Sequence, residues 1–506
     1  MKTKAKKLVS LILTALLVLS ILPMNVFAAP RDVVEGSTAS ITVENAVEND
    51  VLAAYKVVDI TYNAAKNTLS HEWNSLFDDY FSQTNSITNS ANRAYTVDEF
   101  AALTKDSAEL KTLLAGLPNY IAAKSISPVD TQTVAADGTA TFANLAMGEY
   151  FIRPTSTTSV YQLMLQKIEP TVVNGTYVID DVTFSAKHQE VSVTKTADKT
   201  SVTKNEKVTY TITVDIPTYA TGATDRSFSV SDLLPDGLTI DTDSINVILK
   251  YLGFESTLPE GTYTLDKTAT DDYTFKFSVD STQYLDWAGL GGHQLIITYT
   301  ATLNDDATTA VNTKETNTVT FDYSNYPYVE NSHAQKTASA DVTTFAIKID
   351  KYADDSSSTK LAKAKFDLYR TATQAEIDAG TSVEIPHTTI QGILLESGLV
   401  TDNNGSATFE KYQANGTHYT YYLVETQAPS GYNILDHAVE VHFTDADVST
   451  TDGVYTVRIS NKTGFRLPIT GGTGTVIFTV VGIALMVGAV VLLVLSRKKS
   501  KAKENE

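Results

Sequence analysis

The sequence predicts an all-β chain of tandem sandwiches, with helix confined to insertions in the first of them and one segment at the C-terminus. Three observations carry that prediction. Apolar and polar residues alternate over short runs, as in Val208-Thr209-Tyr210-Thr211-Ile212-Thr213-Val214, which turns one face to a core and the other to solvent. Turn signals such as Pro235-Asp236-Gly237 and Asn403-Asn404-Gly405 punctuate these runs. The 506 residues, 42% of them hydrophobic, are enough for about three cores at roughly 150 residues each and exclude global disorder. Frequent short strands with little helix favour sandwiches of the immunoglobulin type.

Composition narrows the function. The chain has no cysteine, which excludes disulfides, thiolate metal sites and cysteine nucleophiles. With 59 acidic against 39 basic side chains and no basic block in its middle, it is a poor partner for nucleic acid. The eight histidines are scattered, and the separation of five between His437 and His442 is not a zinc spacing. No glycine-rich phosphate loop or Gly-x-Ser-x-Gly elbow is present. Asp354-Asp355 and the group Asp445, Asp447 and Asp452 read as solvated acidic turns rather than a calcium site. No metal and no cofactor is expected.

Taken in order, Lys2, Lys4, Lys6 and Lys7 precede an apolar run from Leu8 to Leu22, and Val26-Phe27-Ala28 offers small residues for a peptidase. Residues 1–28 therefore read as a secretory signal. Residues 29–188 mix strand-like pieces (Ala39 to Val43, Thr139 to Phe142) with a stretch from His71 to Lys124 that reads as helical. In that stretch Leu103, Leu110, Leu113, Leu114 and Leu117 recur near the helical period, and Asp98-Glu99 suit a first turn. Residues 189–341 and 342–466 are strand-rich throughout, which gives a first sandwich with helical insertions and two plainer ones.

At the C-terminus, Val476 to Leu495 is a run of twenty residues without a charge, long enough to cross a hydrocarbon core of about 30 Å. Arg497, Lys498, Lys499, Lys501 and Lys503 follow and place residues 496–506 in the cytoplasm. Removing the four lysines of the signal and the net +3 of this tail takes the formal charge of Ala29 to Thr470 from −20 to −27. Just before the span stands Leu467-Pro468-Ile469-Thr470-Gly471. Pentapeptide, span and basic tail in this order resemble the cell-wall sorting signal of Gram-positive surface proteins, which implies cleavage by a sortase between Thr470 and Gly471.

Side-chain parity marks six polar residues that continue apolar strand faces. In the middle block Val191 and Val193 share a face with Lys195, Phe228 and Val230 with Asp232, and Val319 and Phe321 with Asn317. In the third block Ile347 and Ile349 go with Lys351, Tyr421 and Leu423 with Glu425, and Val457 and Ile459 with Asn461. Lys348, of opposite parity, is placed outside. Groups of this kind facing a core are costly unless they satisfy one another; strand-end ion pairs are the alternative that the residues alone leave open.

Further motifs resemble a known family. Glu425-Thr426-Gln427-Ala428-Pro429-Ser430-Gly431-Tyr432 resembles the E-box region of Cna B-type domains, and Leu361 to Leu368 their second strand. Tyr323-Ser324-Asn325 and Thr344-Phe345-Ala346-Ile347 resemble a junction in the backbone, or major shaft, pilins of Gram-positive bacteria. The resemblance implies tandem Cna A- and B-type Ig-like domains and self-crosslinking, in which a buried acid promotes attack of a neutral lysine on an asparagine carboxamide with loss of ammonia. It assigns Lys195, Asp232 and Asn317 to one bond and Lys351, Glu425 and Asn461 to another. In the first block, Arg153 stands where Gly148-Glu149-Tyr150-Phe151-Ile152 would place the acid, so no crosslink is expected there.

The same resemblance implies polymerisation by a pilin-type sortase, in which an exposed lysine takes the Thr470 carbonyl of an identical subunit, head to tail. Val182-Thr183-Phe184-Ser185-Ala186-Lys187 resembles the pilin motif, although that motif has Tyr-Pro before its lysine and Asn after it. Lys187 lies opposite in parity to Val182 and Phe184; Lys199 and Lys204 are its rivals. Tip or basal pilins, and peptidoglycan reached through a housekeeping sortase, are the further partners implied. The expected location is a cell wall-anchored surface pilus, its precursor held briefly in the membrane. The alternative is a wall-anchored adhesin or tip pilin binding a host ligand.

Overall fold

The computed structural model describes residues 30–82, 94–103, 107–220, 222–287, 289–308, 314–414, 419–448, 453–464 and 473–502. The signal segment and the pentapeptide Leu467 to Gly471 lie outside the described residues. The chain divides into two compact units, the first comprising Met1–Thr200, Asn205–Asp306 and Glu315–Val342, the second Ser201–Lys204, Ala307–Lys314 and Thr343–Glu506.

Within the first unit the strand ladders fall into two sets that share no pairing. One set centres on the long strand Val51–Asn63, hydrogen-bonded to Thr68–Trp73, Asp130–Thr133 and Gly148–Ser156, the last pairing on to Met164–Ile168. A second sheet of this set places Val182–Ser185 parallel to Thr38–Glu44, which pairs in turn with Ala140–Ala146.

The insertion differs from the single helical stretch that its leucine period predicts. The strand runs on through Trp73, and short helices follow at Asp78–Ser82, Val97–Ala101, Ala108–Ala115 and Leu117–Lys124. Local chemistry sets the breaks: Thr96 and Glu99 form a reciprocal capping box, Ser107 caps the next helix, and Gly116 with Pro118 starts the last. The apolar side of the stretch is nonetheless buried, through Leu110, Leu113, Leu114 and Leu117.

The other set in the first unit is a sandwich of two five-stranded sheets. One sheet has the order Val193–Ala197, Lys207–Asp215, Gln294–Leu303, Leu238–Tyr251, Phe254–Thr257; the other runs Thr264–Asp266, Phe275–Val279, Phe228–Leu233, Glu315–Ser324, His333–Val342. Strict alternation buries Val208, Tyr210, Ile212 and Val214 from the first sheet against Phe228, Val230, Phe321 and Tyr323 from the second.

The second unit holds another sandwich. Phe345–Ala353 pairs with Ser356–Lys360, with Ser406–Tyr412 and, in parallel, with Val454–Asn461. The opposite sheet is Val383–Glu384, Gln391–Val400, Lys365–Thr371, Tyr421–Gln427, Val439–Val441. The strand anticipated at Leu361 begins only at Lys365, because Lys363 takes a positive φ of 66° and turns the chain first. The C-terminal helix Thr473–Ala502 contains Phe478–Arg497, whose mean hydropathy is 2.9 and none of which is buried, as fits a membrane span.

Candidate functional site

Two clusters of buried polar groups sit inside the two plain sandwiches. In the second unit, Lys351 comes from the central strand of one sheet and Asn461 from the end of the parallel strand beside it, where Ala353 is the register partner of Asn461. Glu425 points in from the facing sheet, opposite Phe366. Lys351, Glu425 and Asn461 are 0%, 2% and 1% exposed, so each has exchanged water for the other two.

Their contacts define a reaction geometry. The Lys351 amine donates to Asn461 Oδ1 and lies 3.2 Å from Glu425 Oε1. The Asn461 amide nitrogen donates to Glu425 Oε1 and Oε2 at 3.0 and 2.9 Å and to the Asn433 carbonyl at 2.9 Å. The Leu435 N–H fixes the carboxyl through Oε2 at 2.9 Å. Burial lowers the lysine pKa against the opposing pull of Glu425, which raises the share of neutral amine. A single carboxyl thus touches both the nucleophile and the leaving group.

Gly405 helps to place this lysine. The Lys351 N–H donates to the Gly405 carbonyl at 2.8 Å, and Gly405 adopts a φ of +70° where an added Cβ would collide with the Lys351 carbonyl oxygen.

The first-unit cluster is built differently. Lys195 and Tyr299 belong to one sheet, with Lys195 beside Ile212 and Tyr210 beside Tyr299 in register. Asp232 and Asn317 belong to the other. Lys195 is 6% exposed, and Asp232 and Asn317 are fully buried. The Lys195 amine donates to Asp232 Oδ2 and, at 2.9 Å, to the Tyr299 hydroxyl. That hydroxyl donates to Asp232 Oδ1 at 3.0 Å and accepts from Asn317 Nδ2 at 2.6 Å.

Burial pushes Lys195 down to about 8 against the pull of Asp232, and raises Asp232 against the pull of Lys195. Both shifts favour a neutral amine beside a protonated acid. Asn317 Oδ1 is buried with no partner, and no hydrogen bond joins Asp232 to Asn317 among the described residues. Parity missed Tyr299, although it stands on the inward face of its strand with Leu295, Ile297 and Ala301. A tyrosine there reads as core; only its hydroxyl between two polar groups marks it as more.

Among the described residues no ion pair joins Arg153 to an acid in the manner of the two clusters. It is half-buried, 5.8 Å from the Tyr55 ring and 6.0 Å from the Tyr326 ring.

Lys187 is exposed. The parallel strand Val182–Ser185 delivers it, the Ala186 N–H donating to the Glu44 carbonyl at 2.8 Å and the Gln162 N–H to the Lys187 carbonyl at 2.9 Å. Its neighbour Ala186 is buried, which turns the lysine outward. Lys187 also lines a cavity of about 330 Å³ together with Phe100, Leu110, Leu114, Met164 and Phe184. The rival Lys199 is engaged at 2.6 Å by Glu206.

Tandem β-sandwiches followed by a long apolar helix are the features set beside known proteins. Residues 345–462 match the SpaA prealbumin-like fold domain, and residues 459–501 match the LPXTG cell wall anchor motif. The chain is 27% identical over 348 residues to a type 1 fimbrial subunit of Actinomyces viscosus, across 60% of this chain, and it spans 64% of that relative's length. In structure it is similar to a backbone pilin of Streptococcus pyogenes, with a TM-score of 0.56, 19% identity and 80% of each chain covered. It is also similar to the major pilin SpaD of Corynebacterium diphtheriae, with a TM-score of 0.53, 16% identity, and 86% of this chain and 99% of that one covered. For SpaA of the same organism the values are 0.50, 18%, 84% and 100%. Together these findings show a SpaA prealbumin-like domain and a cell wall anchor motif in a chain with the fold of the backbone pilins compared.

Proposed function

We propose that the chain is the major structural subunit of a pilus shaft, polymerised by a pilin-type sortase through bonds between the Lys187 amine of one subunit and the Thr470 carbonyl of the next. The observation that carries this reading is the exposed Lys187, which lines a cavity, in a chain whose residues 459–501 match a cell wall anchor motif. An anchored adhesin needs the sorting signal but no acceptor amine. Replacing Lys187 by Ala tests it by immunoblot of wall extracts: the high-mass ladder collapses to monomer if the reading holds, and an unchanged ladder excludes Lys187.

Each subunit is stabilised, in the same proposal, by bonds between Lys195 and Asn317 and between Lys351 and Asn461, with Asp232 and Glu425 as promoters. The buried triads support this, as does a structural neighbour, SpaA, which is described as having a modular pilus assembly with stabilising isopeptide bonds. The Lys351 amine attacks the Asn461 carboxamide carbon; the C–N bond forms, the bond to Nδ2 breaks, and ammonia leaves. Glu425, which touches both nitrogens, carries the proton from one to the other. The three blocks 29–188, 189–341 and 342–466 are the domains of this reading, so that force entering a crosslinked block at its first strand leaves from its last without unfolding the sandwich. Tip or basal pilins and peptidoglycan, joined by a housekeeping sortase, complete the assembly.

A further inference from the structure

We infer that Tyr299 is a catalytic residue of the first-unit crosslink, its hydroxyl carrying the proton between Asp232 and the departing nitrogen of Asn317. This inference rests on the proposal that Lys195 and Asn317 react. The comparison of the two clusters carries it. Glu425 reaches both the amine and the amide nitrogen of its site directly, whereas Asp232, one methylene shorter, reaches the amine and stops. The Tyr299 hydroxyl fills the span, 3.0 Å from Asp232 Oδ1 and 2.6 Å from Asn317 Nδ2.

A phenol hydroxyl has one hydrogen and two lone pairs. Here it accepts from Lys195 and Asn317 and donates to Asp232, so its capacity is fully used by the three reacting groups. The group is also suited to stay a neutral donor, because burial holds its pKa well above the ordinary value. Its ring is held by the neighbouring Tyr210, stacked at 5.5 Å between centroids, and by the edge of Phe275 at 5.2 Å.

The step balances. Lys195 enters as the neutral amine and Asp232 as the acid. Nζ attacks Cγ of Asn317, and as the C–N bond forms Tyr299, its hydrogen turned toward Nδ2, gives up that proton to Nδ2 and regains one from Asp232 Oδ1, which leaves Asp232 a carboxylate. The Cγ–Nδ2 bond breaks, and the surplus proton of Nζ passes to Asp232 Oδ2. Ammonia leaves, and Asp232 and Tyr299 end as they began.

The test is cell-free synthesis of the full chain, quenched in denaturant at intervals, digested, and scored by mass for the two branched peptides. Tyr299→Phe is expected to slow the Lys195–Asn317 bond by about a hundredfold, the lower end of what positioned proton transfer contributes, while the Lys351–Asn461 bond forms at the wild-type rate as an internal control. Tyr284→Phe, which removes a buried hydroxyl of the same unit that donates instead to the Pro217 carbonyl at 2.8 Å, is expected to leave both rates unchanged. A wild-type rate in Tyr299→Phe, or equal slowing in Tyr284→Phe, would overturn the inference. Should Tyr299→Phe fail to fold, site-specific replacement of Tyr299 by a fluorinated tyrosine of more acidic phenol keeps size and hydrogen bonding; it is expected to shift the pH–rate profile of the first-unit bond alone, and an unshifted profile overturns the inference equally. Absence of the Lys195–Asn317 peptide from the wild-type chain would instead sink the crosslink reading on which the inference rests.

Discussion

Replacing Asn461 by Ala removes the electrophile of the second-unit bond while leaving Lys351 its ion pair with Glu425 at 3.2 Å. The proposed bond closes a loop of 110 residues, worth about 5 kcal/mol on the chain-entropy account. Loss of the amide's hydrogen bonds to Glu425 and to the Asn433 carbonyl adds about 1–3 kcal/mol, because Glu425 keeps its buried oxygens. A domain of this size shifts in Tm by roughly 3–5 °C per kcal/mol, so the closure alone predicts a fall of about 15–25 °C. Differential scanning calorimetry on the full chain reads it, and intact mass shows one ammonia lost from the variant sequence where the wild type loses two. A Tm within a few degrees of wild type, or a wild-type mass that already contains both ammonias, would refute the reasoning.

Three further outcomes follow from the same structure. Gly405→Ala, which forces a Cβ onto the Lys351 carbonyl oxygen and strains a positive φ, should destabilise the second unit by at least about 1 kcal/mol and slow its bond, read by the same branched-peptide assay. His333 is held above its ordinary pKa chiefly by its hydrogen bond to Asp322 at 2.5 Å, with Asp225 adding to the effect at 3.1 Å. A raised folded pKa stabilises fully below the unfolded value of 6.5 and loses that stabilisation as pH rises through the folded value. His333→Gln should therefore lower the first-unit Tm below pH 6.5 and have less effect well above the raised pKa, and a pH-independent difference would contradict the assignment. Ser107→Ala, which deletes the cap on the Leu110 N–H, should cost about 1 kcal/mol, seen as a small fall in first-unit Tm.

Much of this was legible because strand parity is binary. Lys195, Asp232 and Asn317 each continue an apolar run, and the two sheets that bury Val208 and Phe321 bury them too. The exposure of Lys187 was legible for the complementary reason, since its parity is opposite to that of Val182 and Phe184, and the buried Ala186 lies on their face. Tyr299 was not, because a period of two places a side chain on a face but does not say what its terminal atom meets there. The division of labour between Asp232 and Tyr299 depends on one methylene of reach across a sandwich, a length that no local pattern records. The insertion after Trp73 is helical as read, but its division into short helices was not legible in the leucine period, which survives a break in the helix. The caps at Thr96 and Ser107 and the Gly116-Leu117-Pro118 step were the signals that divide it.

The central claim is that this subunit is joined to its copies through Lys187. Its most direct test is tandem mass spectrometry of digests of high-mass material released from the wall. The account predicts a branched peptide joining the Lys187 amine to the Thr470 carbonyl. A Thr470 attached only to wall peptide in single-subunit material, or joined instead to Lys199 or Lys204, would contradict it.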